Sequence, residues 1–352
     1  MSSEASSDGA GHDYEGPTSR PARVAVIGAG SWGTTVASMT ATNAPTVVWA
    51  RHVELADEIR TRHTNGKYLP GAELHRELAA THSLEESIAT ADVLVMAVPS
   101  HGFRAVLEQA APHVRPWIPI VSLTKGLEQG TRLRMTQVVD EVIPGHPTGV
   151  LTGPNVAAEV IGGLAAAAVV AMRDEHVALA LQAIFKTRLF RVYTSTDVAG
   201  AEIAGALKNV VAIAAGMAQG LGAGDNTRAM VIARSLAELT RLGVTMGGEP
   251  ATFAGLAGMG DLVATCISPH GRNRYVGEQL ALGRTVEEIT DEMNMVAEGI
   301  KSSRVVMELA EEYGVEMPIA QEVYGVCHEG RTPRQAFRGL LRTSPTTELA
   351  AG

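Results

Sequence analysis

The chain has 352 residues and a formal net charge of −9, because 29 lysines and arginines stand against 38 aspartates and glutamates. This length is typical of two domains, and a composition of 45% hydrophobic and 19% charged residues excludes a largely disordered chain. The acidic balance argues against a nucleic-acid partner. Two cysteines cannot form a disulfide framework, so a reducing, cytoplasmic location is expected.

The two ends of the chain differ from the rest. Residues 1–22 are rich in Ser, Gly and Asp and lack the basic start and apolar stretch of a signal peptide, so they are predicted to form a disordered tail. Residues 344–352 form a second polar tail. The apolar stretch after Asn209 falls short of the ~18 uninterrupted apolar residues that a membrane helix needs, so no membrane span is expected.

Short apolar runs alternate with helical patterns through the first 196 residues. Seven of these runs are predicted strands, at residues 23–28, 45–50, 91–98, 119–123, 149–152, 165–172 and 190–195. Strands that alternate with helices indicate a parallel sheet with helices on both faces. From residue 197 onward the patterns are nearly all helical.

Gly28, Gly30 and Gly33 form the pattern G-x-G-x-x-G between the first predicted strand and a helix. Glycines at these positions allow a tight turn and a close approach of the backbone to a pyrophosphate at the helix N-terminus. In this context the pattern predicts a dinucleotide site rather than an ordinary glycine-rich turn. The predicted fold is therefore α/β, with a Rossmann-type doubly wound domain at 23–196 followed by an all-α domain at 197–343.

The end of the second predicted strand bears on the choice of cofactor. An NAD site typically has Asp or Glu there, about 20 residues after the first glycine, whereas this chain has Arg51. An arginine at that position pairs with the 2′-phosphate of NADP. We therefore expect NADP(H), NAD(H) or both as cofactor; the alternative is that Arg51 is a solvated surface residue.

Ligands of such sheets bind beyond the carboxyl ends of the strands. Of three informative loops there, only one offers a cation, Lys125. The alternative is that Lys125 is a solvated loop lysine with no role in binding. His101 follows another strand and is interpreted as a residue at a helix start.

The segment around Lys208 is unusual, because Lys208 and Asn209 are the only strongly polar residues between Glu202 and Gln219. A helix that is apolar all round is buried, and a buried lysine requires a partner or a function. Desolvation makes its ammonium a better proton donor, which suits an acid–base catalyst. The alternative is a lysine that reaches the surface past small residues. Asp261 is either a helix N-cap or the partner of Lys208.

Gly271, Arg272, Asn273 and Arg274 open a predicted helix, where free amides and an arginine can bind phosphate. The histidines are scattered and form no H-E-x-x-H, and there is no paired C-x-x-C. No metal site is therefore expected.

Together these motifs resemble the bacterial NAD(P)-dependent glycerol-3-phosphate dehydrogenases. The resemblance spans about residues 24–342 and rests on eleven segments in order: GAGSWGT, WAR, AVPSH, TKGLE, TGPN, GALKNVVAIAAGMAQGLG, GDNTRA, GMGDL, GRNR, VAEG and VEMPI. It implies reversible reduction of dihydroxyacetone phosphate to sn-glycerol 3-phosphate with NAD(P)H, supply of phospholipid synthesis, and a homodimer.

The resemblance also implies roles for individual residues. The catalytic lysine corresponds to Lys208, with Asp261 holding it. The implied substrate contacts are Lys125, Gly153, Asn155, Lys208, Asp261, Gly271, Arg272 and Asn273. The implied cofactor contacts are Gly28, Gly30, Ser31, Trp32, Gly33, Arg51, His52, Lys125, Ala157, Arg272, Val296 and Glu298.

Two positions depart from the family pattern. Many relatives have Ser where this chain has Gly271, so a hydroxyl contact is lost and a backbone amide is expected to replace it. Asn155 stands where many relatives have Ser or Thr.

Two alternatives remain at the level of sequence. One is another two-domain dehydrogenase, acting on hydroxyacids or 3-hydroxyacyl substrates, which would need a different anion-binding group in place of GRNR. The other is a non-catalytic NADP-binding regulator, which would have no need of a lone lysine in an apolar helix.

Overall fold

The computed structural model describes residues 20–269, 271–293 and 298–342. Its N-terminal part contains one eight-stranded sheet with the strand order β3-β2-β1-β4-β5-β6-β7-β8. The strands are β1 (Val24–Ile27), β2 (Thr46–Trp49), β3 (Ala79–Thr81), β4 (Val93–Met96), β5 (Ile120–Ser122), β6 (Thr148–Thr152), β7 (Ala166–Met172) and β8 (Phe190–Ser195). The central strands β1 and β4 are buried along their whole length, as expected for a sheet covered on both faces.

Among residues 20–196, seven α-helices accompany the sheet: α1 (Ser31–Thr40), α2 (Val53–Arg62), α3 (Leu84–Ile88), α4 (Ser100–Ala110), α5 (Met135–Val142), α6 (Ala157–Ile161) and α7 (Glu175–Phe185). Residues of α1, α2, α6 and α7 share one apolar core with one face of the sheet, and those of α3, α4 and α5 share a second core with the other face. The doubly wound, Rossmann-type arrangement predicted from sequence is confirmed.

Two details of the sheet differ from the prediction. Strands β6 and β7 run antiparallel, whereas all other neighbours are parallel. The chain between them forms only the five-residue helix α6, which is too short to carry it back along the sheet for a parallel pairing. Strand β3 was missed because its three residues, Ala-Ala-Thr, carry little of the β-branched and aromatic signal of a strand.

In the part of the chain that the structure describes, nine further helices follow the sheet: α8 (Val198–Gly220), α9 (Asp225–Thr245), α10 (Pro250–Ala254), α11 (Asp261–Ile267), α12 (Arg272–Ala281), α13 (Val286–Glu292), α14 (Glu298–Tyr313), α15 (Pro318–His328) and α16 (Pro333–Arg342). A π-helical turn, Leu256–Gly260, joins α10 to α11. The predicted N-terminal tail overlaps the described residues only at 20–22, and residues 343–352 lie outside them.

Helix α8 is the centre of the helical part, since 20 of its 23 residues are buried. Helices α9, α11, α12, α14 and α15 pack around it. Helix α12 comes closest: a Cβ atom at Gly216 would lie 2.0 Å from the Arg274 carbonyl oxygen, and one at Gly277 would lie 2.1 Å from that of Ile213. The glycines therefore let two backbones touch, which brings the start of α12 close to the middle of α8.

Among the described residues, α8 is also the one helix that is long and apolar enough to cross a membrane by length and composition. A criterion of uninterrupted apolar residues misses it, because Lys208 and Asn209 stand in its middle. The most apolar window of this helix is 94% buried inside the protein, which is the position of a core helix.

Candidate active site

The glycine-rich loop lies at the carboxyl edge of the sheet, between β1 and α1. Gly28 has a φ of +120°, and a Cβ atom there would lie 2.6 Å from the Ala97 carbonyl oxygen. A Cβ atom at Gly33 would lie 2.1 Å from the Gly28 carbonyl oxygen, so both positions exclude any side chain. At Gly30, by contrast, nothing lies within 4 Å. The loop thus leaves open space at the glycine where a pyrophosphate approaches a Rossmann fold.

Three buried polar groups lie at this same edge. They are Trp32 Nε1 in α1, Thr152 Oγ1 at the end of β6, and both side-chain polar atoms of Asn155 just beyond β6; none has a hydrogen-bond partner among the described residues. Buried polar atoms are normally paired, so unpaired groups along the edge that carries the glycine loop suit a ligand rich in hydrogen-bonding groups. A dinucleotide fits these residues.

The other sequence-predicted cofactor residues lie on neighbouring elements. Arg51 is exposed two residues beyond β2, and His52 is the exposed N-cap residue of α2. Ala157 is the half-buried first residue of α6. Val296 lies outside the described residues.

The charged centre of the site is a cluster of two lysines and one carboxylate. Lys208 Nζ donates to Asp261 Oδ1 at 2.5 Å, and Lys125 Nζ donates to Asp261 Oδ2 at 2.7 Å. Lys125 Nζ also donates to the Gly153 carbonyl oxygen at 2.9 Å. These groups come from α8, from the first residue of α11, and from the loops after β5 and β6, so the fold brings together residues that are far apart in sequence. We call Lys125, Lys208 and Asp261 the lysine–carboxylate cluster.

Thr265 completes the surroundings of Lys208 and was missed from the sequence. Its hydroxyl donates to the Asp261 carbonyl oxygen at 2.7 Å. The hydroxyl oxygen itself, Thr265 Oγ1, accepts a hydrogen bond from Lys208 Nζ at 2.5 Å. The available signal was its position four residues after Asp261, which places both residues on one face of a helix.

The cluster changes the acidity of Lys208, whose side chain is only 7% exposed. Burial lowers its pKa most strongly, Asp261 raises it, and the neighbouring Lys125 cation lowers it again, which leaves the pKa at about 8. An ammonium with this pKa gives up its proton near neutral pH, as a general acid requires.

A chain of amides connects the cluster to α12 and α14. Asn209 Nδ2 donates to the Lys125 carbonyl oxygen at 3.3 Å, and Asn273 Nδ2 donates to Asn209 Oδ1 at 3.1 Å. Asn273 Oδ1 accepts from the Gly299 N–H at 2.9 Å. Asn273 is therefore buried, and its side-chain oxygen holds the start of α14 in place.

Helix α12 begins at Arg272, which is exposed. The Gly271 N–H donates to the Ser268 carbonyl oxygen at 3.1 Å, and the replacement of the lost hydroxyl contact by a backbone amide stays a prediction. Glu298 is half-buried nearby at the start of α14. Burial raises its pKa, whereas Arg272 and a hydrogen bond from the Ser100 N–H lower it.

The sequence had left the environment of two cluster residues open. Lys125 is no solvated loop residue, since its side chain is 17% exposed and bonded to Asp261. Asp261 begins α11, but its carboxylate binds the two lysines. Within the part of the chain that the structure describes, no group of three or more His, Cys, Asp or Glu residues is placed to hold a metal ion.

A Rossmann-type sheet whose glycine loop lies at the same edge as a buried lysine from a helical bundle defines a two-domain nicotinamide-dinucleotide dehydrogenase. The models of the N- and C-terminal parts of NAD-dependent glycerol-3-phosphate dehydrogenase match residues 23–178 and 197–338. The chain belongs to the NAD-dependent glycerol-3-phosphate dehydrogenase family.

Individual relatives agree. The chain is 56% identical over 330 residues to glycerol-3-phosphate dehydrogenase [NAD(P)+] 2 of Sphingopyxis alaskensis, covering 94% of this chain and 99% of the relative. It is 57% identical over 331 residues to glycerol-3-phosphate dehydrogenase [NAD(P)+] of Mycobacterium avium, covering 94% and 97%. The crystal structure of glycerol-3-phosphate dehydrogenase from Coxiella burnetii superposes with a TM-score of 0.87 at 34% identity and covers 92% of this chain and 99% of that one.

Proposed function

We propose that the protein catalyses the reversible reduction of dihydroxyacetone phosphate to sn-glycerol 3-phosphate with NADPH or NADH. The observation that carries this proposal is the lysine–carboxylate cluster, buried at the edge of the sheet that also carries the glycine loop of the family. Membership of the family supplies the substrate class, and the cluster supplies the acid that a ketone reduction needs.

Lys208 is the proposed general acid. When bound, the reduced nicotinamide supplies a hydride to C2 of the ketone. Lys208 Nζ donates a proton to the oxygen of that carbonyl and becomes a neutral amine, which then regains a proton from solvent. In the oxidation direction the neutral amine accepts the hydroxyl proton. Positioned proton transfer of this kind contributes about 10²–10⁴-fold to a rate.

Asp261 and Lys125 are proposed to set the position and charge of this acid. Asp261 accepts from both lysines and so fixes the direction of each ammonium group. Lys125, tied to the Gly153 carbonyl, places a second cation beside the oxygen on which negative charge develops. Gly153 and Asn155 line the same side of the substrate in this proposal.

Arg272 is the proposed anchor of the substrate phosphate. Arg272 is the first residue of α12, where the helix N-terminus adds partial positive charge. Gly271 is the N-cap residue of this helix and Asn273 lies in its first turn, and we assign both to the substrate site.

The remaining proposed contacts concern the dinucleotide. Residues 23–196 form the proposed dinucleotide-binding domain and residues 197–343 the proposed catalytic domain. The proposed cofactor residues are Gly28, Gly30, Ser31, Trp32, Gly33, Arg51, His52, Lys125, Ala157, Arg272, Val296 and Glu298.

Three broader expectations belong to the same proposal: a cytoplasmic location, a homodimer formed through the helical part, and supply of glycerol phosphate for phospholipid synthesis. A light-scattering mass of the purified protein tests the dimer directly, since a monomeric mass contradicts it.

The reaction is tested by following the loss of NADPH absorbance with dihydroxyacetone phosphate as substrate. We expect turnover, and in the reverse direction oxidation of sn-glycerol 3-phosphate but not of its sn-1 enantiomer. A 2-keto acid and a 3-ketoacyl thioester serve as comparison substrates. Faster turnover of either one, or binding of NADPH without turnover of any substrate, contradicts the proposed function.

A further inference from the structure

Three basic side chains from three different elements lie near one another at the carboxyl edge of the sheet. Arg51 follows β2 and His101 follows β4; these two strands flank β1, so both residues lie at the carboxyl edge of the sheet. Lys301 comes from the first turn of α14, and its side chain lines the same crevice as Ser100, His101 and Glu298. We call Arg51, His101 and Lys301 the basic corner.

The start of α14, in the helical part, lies against this edge. The Glu298 carboxylate, at the start of α14, lies beside Ser100 at the start of α4, whose backbone N–H lowers the pKa of Glu298. Lys301 is three residues after Glu298 and therefore projects from the same face of α14. Lys301 is exposed, and its side chain lines the same crevice as His101.

Glu298 is a carboxylate beside the basic corner, because it lines the same crevice as Lys301 and interacts with it electrostatically. Within the described residues, neither the Arg51 guanidinium nor the Lys301 ammonium forms an ion pair. Partial burial, Lys301 and Arg51 together lower the pKa of His101. The other charged groups around His101 are Glu298, which lies beside Ser100, and Arg104 of its own helix, which is paired with Glu128 at 2.8 Å.

We propose that Lys301 and His101 join Arg51 in binding the 2′-phosphate of NADP(H), and that His101 takes up a proton from solvent when this phosphate binds. The inference rests on the cofactor assignment under the proposed function and extends it from one residue to three. A phosphate carries nearly two negative charges, so it opposes the effect of the Lys301 and Arg51 cations and favours the protonated form of His101. NADH lacks the 2′-phosphate and therefore does not favour this protonation.

The test measures binding of NADPH and NADH to the full-length protein by calorimetry, without substrate. Lys301→Met is expected to weaken NADPH binding by about tenfold or more, the loss of one charge-assisted contact, and to leave NADH binding within about twofold. Lys301→Arg keeps the charge and should bind both cofactors as the wild type does. Lys186→Met is the matched control, because Lys186 is an exposed lysine at the end of α7 whose carbonyl contacts Asn43, beyond the far end of α1.

The proton uptake is measured by repeating the titration at one pH in buffers of different ionisation enthalpy. NADPH binding should take up protons and NADH binding should not, and His101→Gln should reduce the uptake with NADPH. The 2′-phosphate itself titrates in this pH range and contributes to the proton uptake. The measurement that tests His101 is therefore the difference in proton uptake between the wild type and His101→Gln.

The outcomes separate the possible failures. If Lys301→Met weakens NADPH and NADH equally, the basic corner holds the diphosphate shared by both cofactors and the inference is wrong. Unchanged proton uptake in His101→Gln removes His101 from the site. If the wild type binds neither dinucleotide, the cofactor assignment itself fails, whatever the variants do.

Discussion

The glycine loop and the lysine–carboxylate cluster lie at the same edge of the sheet but are built by different means. The loop works through backbone and empty space: side chains are excluded at Gly28 and Gly33, and Gly30 faces a gap. The cluster works through charge, with two ammonium groups on one buried carboxylate. Substitutions in the loop should therefore act through volume, and substitutions in the cluster through charge.

The charge balance of the cluster favours a functional interpretation. Buried ion pairs contribute little net stability, because desolvation offsets the attraction between the charges. Here two cations share one anion, which leaves an excess positive charge in a site where Asp261 is only 1% exposed. Such an excess is unfavourable in isolation and favourable beside a developing alkoxide.

The largest effect is expected from the cluster. Lys208→Ala should lower kcat for dihydroxyacetone phosphate reduction by about 10²-fold or more, because the general acid is lost. NADPH affinity should change little, since the glycine loop is untouched. Steady-state kinetics and thermal unfolding measure both, with Lys186→Ala as the control. A folded Lys208→Ala protein with near-normal kcat would remove Lys208 from the mechanism.

The next effect concerns Arg272, the first residue of α12. Arg272→Ala should raise KM for dihydroxyacetone phosphate by about tenfold to a hundredfold, as expected for a lost charge-assisted phosphate contact. Arg272→Lys should be intermediate, because lysine keeps the charge but not the two-pronged geometry.

Substrate truncation sharpens this test. The wild type should strongly prefer dihydroxyacetone phosphate over dihydroxyacetone, and Arg272→Ala should reduce that preference in kcat/KM. An unchanged ratio places the phosphate elsewhere, at Lys125 or Arg228.

The glycine loop gives a smaller effect that depends on position. Gly33→Ala places a Cβ atom 2.1 Å from a backbone oxygen, so the loop must shift, and we expect a loss of about 1–3 kcal/mol in stability together with weaker NADPH binding. Gly30→Ala meets nothing within 4 Å and should unfold at the wild-type temperature while still weakening NADPH binding. Thermal unfolding with and without NADPH distinguishes the two. Equal destabilisation by both substitutions contradicts the steric account.

The two regions also differ in how far the sequence predicts them. The glycine loop is a local pattern, so its strand, turn and helix could be read from neighbouring residues. The apolar surroundings of Lys208 predicted its burial, but its contact with Asp261 spans 53 residues and that of Lys125 with Asp261 spans 136. The residues next to Lys125, Lys208 and Asp261 in the sequence do not determine these two contacts, because the contacts depend on how the helices pack around α8. The antiparallel β6–β7 pair escaped prediction because it too is set by tertiary packing and loop geometry.

The finest test of the charge-based account is the pH dependence of activity. Lys208 has a pKa of about 8 and donates its proton in the reduction, so kcat/KM for reduction should fall about tenfold per unit at higher pH. Oxidation needs the neutral amine, so its rate should rise with pH and level off above the same value. The limb of the pH profile where the rate changes should follow the pKa of Lys208. Because the Lys125 cation lowers that pKa, Lys125→Met should move this limb to higher pH. Because Asp261 raises that pKa, Asp261→Asn should move the limb to lower pH. Both variants also reduce the rate, so the position of the limb, and not its height, is the measurement. A limb that stays in place in both variants belongs to a group outside the cluster, and the proton then comes from a different residue.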